Sequence, residues 1–249
     1  MNSVAYWFLT SYNRVAISNV LSVSENGLYS IAGRFSSFIT LFTTCFNMAW
    51  QEMSYSREAQ KQTNQGEFYT TALNSYIKFL CMGLLMLIPA ISVIFPIMIN
   101  ESYADAKQLV PYYLLATIVS CISSFFGNIF TAIKKNNVLF YTTVAGSVVN
   151  VVSVHLLLPV VGVQGASIAL FLGFMVNNTI RAYLLKKEIQ VSIDLKFIVA
   201  WAIVYIGVSY IYLHANAIIN VLTVLVGGLL TLFVFRKELK EILGTIKNR

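Results

Sequence analysis

The sequence predicts an all-α protein, a polytopic transmembrane helical bundle of about eight helices. Three observations predict it: a composition too apolar for water, apolar runs of membrane length, and basic residues that fall on one side of those runs. Of 249 residues, 57% are hydrophobic and 11% are charged, where a soluble domain would carry about 25% charge. Mean hydropathy is +0.72. So few polar groups cannot cover a surface that faces water, and lipid removes the need. The runs show no sustained alternation of period two, which argues against a transmembrane barrel.

A crossing helix needs about 20 mostly apolar residues. The segments that meet or approach this are 1–20, 28–50, 70–98, 109–132, 138–158, 163–185, 195–213 and 216–236. The first is interrupted at Tyr12, Asn13 and Arg14. The opening MNSVAYWFLTSY lacks a basic leader region and reads as part of a mature helix. Ser24-Glu25-Asn26-Gly27 predicts a turn and cap before the second segment. Pro89 predicts a kink in the third. Pro111 fits the first turn of the fourth, and Pro159 predicts the end of the fifth. The longest polar connection is 51–69, with room for a surface helix. The closing RKELKEILGTIKNR reads as a basic tail on the inner surface. Cys45, Cys81 and Cys121 lie inside apolar runs and read as small buried hydrophobes.

The charges set an orientation. If successive segments alternate in direction, one side collects Arg57, Lys61, Lys78, Lys134, Lys135, Arg181, Lys186, Lys187, Lys196 and the tail, together 14 of the 17 basic residues. The other side keeps Arg14, Arg34 and Lys107. The positive-inside rule puts the richer side, and the C terminus, in the cytoplasm. Net charge is +7, and its placement at helix ends points to anionic lipid headgroups rather than nucleic acid.

Polar groups inside apolar runs are the candidate functional residues. Arg34 stands about two turns into its segment, where a charge is costly and faces a bundle interior or a wet cavity, unless it snorkels to the interface. Its guanidinium suits a phosphate. Lys78, near the inner end of the third segment, is a weaker candidate for the same contact. Asn128, Asn150, Asn177 and Asn178 each need a partner in lipid, either another helix or a polar substrate path; Asn150 and Asn177 join Arg34 and Lys78 as candidate substrate-binding residues. Trp50 reads as an interface anchor. His155 and His214 are single histidines near helix ends. Metal-ligand spacing, a nucleotide-phosphate loop and a catalytic triad pattern are all missing from the sequence, so no catalytic residue, cofactor or metal site is expected.

The segments NGLYSIAGRFSSFITLFTTCFNMAWQE (26–52) and NNVLFYTTVAGSVVNVVSVHLLLPVVGVQGASIALFLGFMVNN (136–178) resemble the C-terminal half of bacterial polysaccharide-repeat flippases, the oligosaccharide branch of the multidrug/oligosaccharidyl-lipid/polysaccharide exporter superfamily. The second carries the family's order: Lys134-Lys135 in a basic turn, Asn150 in a helix, then Pro159, Gly162, Gly165 and Ala166 opening the next. Two positions depart from it, with Asn13-Arg14 where Asp-Arg is common and Glu52 where a proline often follows Trp-Gln. The resemblance implies a 12–14-helix transporter of two halves around a central cavity. Residues 1–186 would then be the second six-helix repeat, 187–236 an added helix pair and 237–249 a cytoplasmic basic tail. It implies flipping of undecaprenyl-diphosphate-linked oligosaccharide repeats for polysaccharide or O-antigen (lipopolysaccharide) biosynthesis in the bacterial inner membrane. It also implies Arg34, and more weakly Lys78, as contacts for the lipid diphosphate. The implied partners are the lipid-linked oligosaccharide, membrane lipids and a separately encoded N-terminal half. Rival classes are a drug/cation antiporter of the same superfamily, a membrane glycan polymerase or acyltransferase, and a non-functional fragment. A cavity carboxylate would favour the first, and large catalytic outer loops the second.

Overall fold

A computed structural model describes residues 2–59 and 65–236. Among these, nine α-helices follow in order: α1 (Asn2–Thr10), α2 (Tyr12–Val20), α3 (Val23–Ala59), α4 (Gln65–Met98), α5 (Ala106–Ala132), α6 (Asn136–Val161), α7 (Gln164–Ile189), α8 (Leu195–His214) and α9 (Ala217–Val234). The predicted all-α class holds. Six of them, α4 to α9, are long and apolar enough to cross a membrane. The tail 237–249, read above as basic and cytoplasmic, lies outside the described residues, as does the middle of the 51–69 connection.

The chain divides into two compact units. The first comprises Met1–Ile77 with Tyr103–Leu195. In it α5 packs against α3 and α7, α6 pairs with α7, and α1 lies on α6. Leu9, Ala116, Val119, Leu170 and Phe174 form a buried cluster between α1, α5 and α7. A second apolar centre is aromatic. Phe125 stacks on Trp50 at 4.9 Å and on Tyr76 at 4.8 Å, and Trp50 also stacks on Phe68 at 5.2 Å. Trp50 is 3% exposed, so it serves packing rather than the surface anchoring expected of it.

The predicted interruption of the first segment is a break at Ser11 between α1 and α2. Such a break frees backbone carbonyls that lipid cannot satisfy. Asn150 Nδ2 meets that need: it donates to Phe8 O at 3.0 Å and to Asn13 Oδ1 at 2.9 Å. Asn13 Nδ2 in turn donates to Ala166 O at 2.8 Å.

Three boundaries move. α3, the second predicted segment, begins at Val23, not 28, because Ser22 Oγ accepts from the Glu25 N–H at 3.1 Å. The Ser-x-x-Glu pattern of a capping box therefore starts the helix inside the stretch read as a turn. α5, the fourth predicted segment, begins at Ala106, which puts Pro111 in its second turn. The helix containing Pro159 runs on to Val161 and stops at Gly162, whose φ is +63°. Proline removes one donor near a C terminus, whereas glycine at positive φ ends the helix.

The connection after α7 is pinned to α4. Asn74 Nδ2 donates to Ser192 O at 3.0 Å, its Oδ1 accepts from the Asp194 N–H at 2.9 Å, and Thr70 Oγ1 accepts from the Ser192 N–H at 3.1 Å.

The second unit comprises Lys78–Ser102 with Lys196–Arg249. Trp201 Nε1 of α8 donates to Cys81 O of α4 at 2.8 Å. Gly227 of α9 lets that helix approach Met86, whose Cγ would lie 3.3 Å from an added Cβ. The opposite faces of α8 and α9 expose Ile203, Ile206, Leu225, Leu229 and Phe233, as acyl-chain contact requires.

Candidate functional site

α3 has 37 residues, long enough to cross a membrane, but unlike α4 to α9 it is not apolar enough. The reason is a polar stripe. From Asn26 through Ser30, Gly33, Ser37, Thr40, Thr44, Asn47 and Gln51 to Ser54, small or polar residues recur at alternating steps of four and three. Such steps keep side chains on one helix face. The ends of the stripe are used inside the unit. Asn26 Nδ2 donates to Ser18 Oγ at 2.9 Å, Gln51 Nε2 to Asn128 Oδ1 at 2.8 Å, and Ser54 bonds Tyr69 at 2.9 Å. Its middle is not used: Ser37, Thr40 and Thr44 are exposed. The Thr40 hydroxyl donates to Ser37 O at 3.1 Å and the Thr44 hydroxyl to Thr40 O at 2.7 Å. Their donors are thereby satisfied along the helix, and their oxygen lone pairs face outward.

Arg34 sits beside the stripe and is exposed, and among the described residues it makes no hydrogen bond or ion pair. Arg14 of α2, assigned by sequence only to the less basic side, approaches the same place. Its Nη2 lies 3.7 Å, and the Tyr113 hydroxyl 3.1 Å, from where a Cβ on Gly33 would sit. Glycine at 33 therefore makes room for a tyrosine and a guanidinium one residue from Arg34. Between Asn26 and Gln51, α3 carries no carboxylate. Cys45, expected to be buried, is exposed on this helix too.

A second polar centre lies between α1, α5, α6 and α7. Arg181 is 6% exposed. Its Nε donates to Thr142 Oγ1 at 2.9 Å, Nη1 to Ser123 O at 2.7 Å and to Ser123 Oγ at 3.0 Å, and Nη2 to Thr143 Oγ1 at 3.2 Å. An open cavity of about 240 Å³ adjoins it, lined also by Asn177, Asn128, Ser124 and Tyr6. Asn128 Nδ2 donates to Asn47 Oδ1 at 3.2 Å, so this cavity touches the C-terminal end of the α3 stripe.

The sequence-predicted residues therefore separate. Arg34 lies on the exposed face of α3, and Asn177 lines the Arg181 cavity. Asn150 is committed to the α1–α2 break, and Asn178 to an interhelical bond with Val119 O at 2.9 Å. Lys78 belongs to the second unit, where its ammonium lies 5.8 Å from the centre of the Phe197 ring. His155 bonds the Tyr12 hydroxyl at 2.8 Å. Sequence reasoning missed Arg14 and Arg181. The signal for Arg181 was present: it falls inside the predicted 163–185 segment, eight residues before α7 ends, which is about 12 Å of helix.

The fold is similar to a solved structure described as the lipid II flippase MurJ in an inward closed conformation, with a TM-score of 0.67 and 18% identity. The match covers 95% of this chain and 53% of that one, so the chain spans about half the length of the structure it matches. No protein-family model and no curated protein matches it. At this identity the likeness is one of fold: the chain has a MurJ-like helical fold, and among the described residues six of its helices are long and apolar enough to cross a membrane.

Proposed function

We propose that this chain forms one half of a flippase that carries a lipid-linked oligosaccharide across the bacterial inner membrane, and that the polar face of α3 lines its path. One observation carries the reading. A row of outward hydroxyls, with an arginine that has no hydrogen bond or ion pair among the described residues, lies in the middle of α3, where the other positions from Ile31 to Trp50 are apolar except Ser36, Thr43 and Asn47. Facing acyl chains, that row would be costly. Facing a wet cavity completed by a second half, it offers lone pairs to sugar hydroxyls and guanidinium groups to a diphosphate.

The cargo we infer is an undecaprenyl-diphosphate-linked repeat unit for polysaccharide or O-antigen assembly. The fold match to a lipid II flippase supports a lipid-linked substrate in general. In this reading 1–186 is the core repeat, 187–236 an added helix pair, and the Lys134-Lys135 turn and C terminus are cytoplasmic. The cavity opens inward, the guanidinium groups of Arg34 and Arg14 take the diphosphate, and the polyprenyl tail stays against lipid. Rocking of one half against the other then opens the cavity outward. No covalent bond of the cargo changes. An antiporter working through a buried carboxylate is less well supported, since α3 offers none between Asn26 and Gln51.

Arg34→Ala in the complete transporter should reduce glycan export at least about tenfold, the effect of losing one charge-assisted contact, with protein abundance in the membrane unchanged. Full export at normal abundance would remove Arg34 from the path.

A further inference from the structure

The cavity beside Arg181 lies where the ends of α5 and α7 meet the start of α6. On the reading proposed above, that is the cytoplasmic end of the unit, where cargo enters. The cavity also meets the α3 stripe, because Asn128 on its wall donates to Asn47 Oδ1 and accepts from Gln51 Nε2. Polar lining therefore continues from the hydroxyl row into this space.

What the walls leave unsatisfied is mixed in kind. Donors are few. Four hydrogen bonds from Arg181 reach hydroxyl and carbonyl oxygens, so of the five N–H groups of a guanidinium one remains, on Nη2. Asn128 Nδ2 commits one of its two N–H groups to Asn47. Acceptors outnumber them. The Thr131 hydroxyl donates to Gly127 O at 3.0 Å, Ser124 to Ser120 O at 3.2 Å and Thr143 to Leu139 O at 2.6 Å. Each proton is turned along its own helix, and oxygen lone pairs remain. The Tyr6 hydroxyl is bonded to Ser120.

Asn177 adds one more acceptor. It lines the cavity, is 1% exposed, and its Oδ1 is buried without a partner among the described residues. A buried amide oxygen left in that state is rare in a folded protein. Because the side chain makes no hydrogen bond, it can turn toward a ligand without losing one. Among the described residues neither a carboxylate nor a lysine lines the cavity. An anion would meet mostly lone pairs here, and a metal cation would meet the Arg181 charge. A hydroxyl suits both kinds of wall, since one atom donates and accepts. A cavity of about 240 Å³ is the space of roughly eight water molecules at about 30 Å³ each, which admits one compact ring and not a chain of them.

We propose that this cavity receives one neutral, hydroxyl-bearing sugar ring of the lipid-linked cargo. Its hydroxyls donate to the oxygens of Thr131, Ser124 and Asn177 and accept from Arg181 Nη2 and Asn128 Nδ2. The inference rests on the flippase reading, and it adds where the sugar is recognised and that the sugar is uncharged.

The test uses the full chain purified in a neutral detergent and three probes: undecaprenyl diphosphate, the same carrier bearing one N-acetylglucosamine, and the carrier bearing one glucuronic acid. Apparent affinities are read from the saturable rise in Tm, because a ligand that binds only the folded state stabilises it. The neutral glycolipid should bind about tenfold more tightly than the bare carrier, as one or two neutral hydrogen bonds imply. Asn177→Leu and Thr131→Val keep side-chain shape and break no bond between helices, so both should fold. Each should cut that advantage roughly threefold, the double variant should remove it, and affinity for the bare carrier should stay unchanged. Equal binding of the neutral glycolipid and the bare carrier overturns this inference and leaves the diphosphate contact of the flippase reading in place. An advantage that survives in the double variant puts the sugar elsewhere and overturns it too. So does glucuronic acid binding more tightly than the neutral sugar, which would mark an anion site. If none of the three probes binds, the flippase reading fails and this inference fails with it.

Discussion

Arg34 and Arg181 carry the same charge, belong to the same unit and lie within long helices, yet their surroundings share almost nothing. Arg34 stands on an outward face among hydroxyls that have turned their protons back onto α3. Arg181, on α7, is held to α5 and α6 through four hydrogen bonds of 2.7 to 3.2 Å. A membrane helix can tolerate a charge by satisfying it inside the bundle or by presenting it to something outside the unit. Only the first choice contributes to the stability of the unit by itself. The two regions should therefore separate when stability and transport are measured apart.

The largest expected effect is on Arg181. Arg181→Ala removes hydrogen bonds that tie three helices together. It should lower unfolding free energy by about 2–4 kcal/mol, the range for losing a buried charged network after the hydroxyls rebond to their own helix. Arg34→Ala should stay within about 0.5 kcal/mol, as exposed substitutions do. Denaturant or thermal unfolding in the same detergent decides it. Equal losses for the two variants would break the comparison, because Arg34 would then also be held inside the unit.

Much of this contrast was within reach of the sequence, and the part that was not has a physical reason. Helix positions follow from the length of apolar runs, and those survived with shifted ends. Arg34 was visible because a charge interrupts such a run. The stripe beside it was equally present at steps of three and four, but serines and threonines do not break an apolar segment and leave no gap to notice. Arg181 was counted with Lys186 and Lys187 as loop charge, although α7 continues to Ile189. The four asparagines carry identical local signals. What distinguishes Asn150 is a carbonyl at Phe8, 142 residues away, which only the folded chain brings near. Which amide finds a partner and which faces a cavity is a tertiary outcome, and spacing along one helix does not encode it.

Two glycines sharpen the comparison with smaller effects. Gly146 on α6 lies one turn beyond Thr142 and Thr143, and a Cβ there would sit 2.7 Å from Gly173 O on α7. Backbone atoms cannot step aside, so Gly146→Ala must push apart the two helices that hold Arg181. A loss of about 1–3 kcal/mol is expected, the usual cost of overpacking. Gly27 near the start of α3 has nothing within 4 Å of an added Cβ. Gly27→Ala should instead gain up to about 1 kcal/mol from helix propensity. Opposite signs in unfolding measurements would support a tight α6–α7 seam beside an open α3 face. A gain at Gly146 would mean that the seam has slack.

The smallest effect is expected at the exposed counterpart of the Arg181 clamp. Lys135, at the start of α6, pairs with Glu188, near the end of α7, at 2.5 Å, with side chains 44% and 37% exposed. This pair spans the same two helices as the Arg181–Thr142 bond and is shorter, so distance alone would rank it the stronger. Exposure reverses that order. Solvent screens the attraction, and holding two long side chains in one geometry costs entropy, which leaves typical exposed pairs at about 0–1 kcal/mol. Glu188→Gln should therefore change stability by less than about 1 kcal/mol, and the difference should shrink further at high salt, where the screening length falls to about 3 Å at 1 M. Titrating salt against unfolding for Glu188→Gln and Arg181→Ala reads both at once. The Arg181 loss should persist at high salt because its partners are buried dipoles. If instead Glu188→Gln matched the Arg181 loss, net charge at this end of α6 and α7 would govern their pairing, and burial of the guanidinium would no longer explain why the two arginines differ.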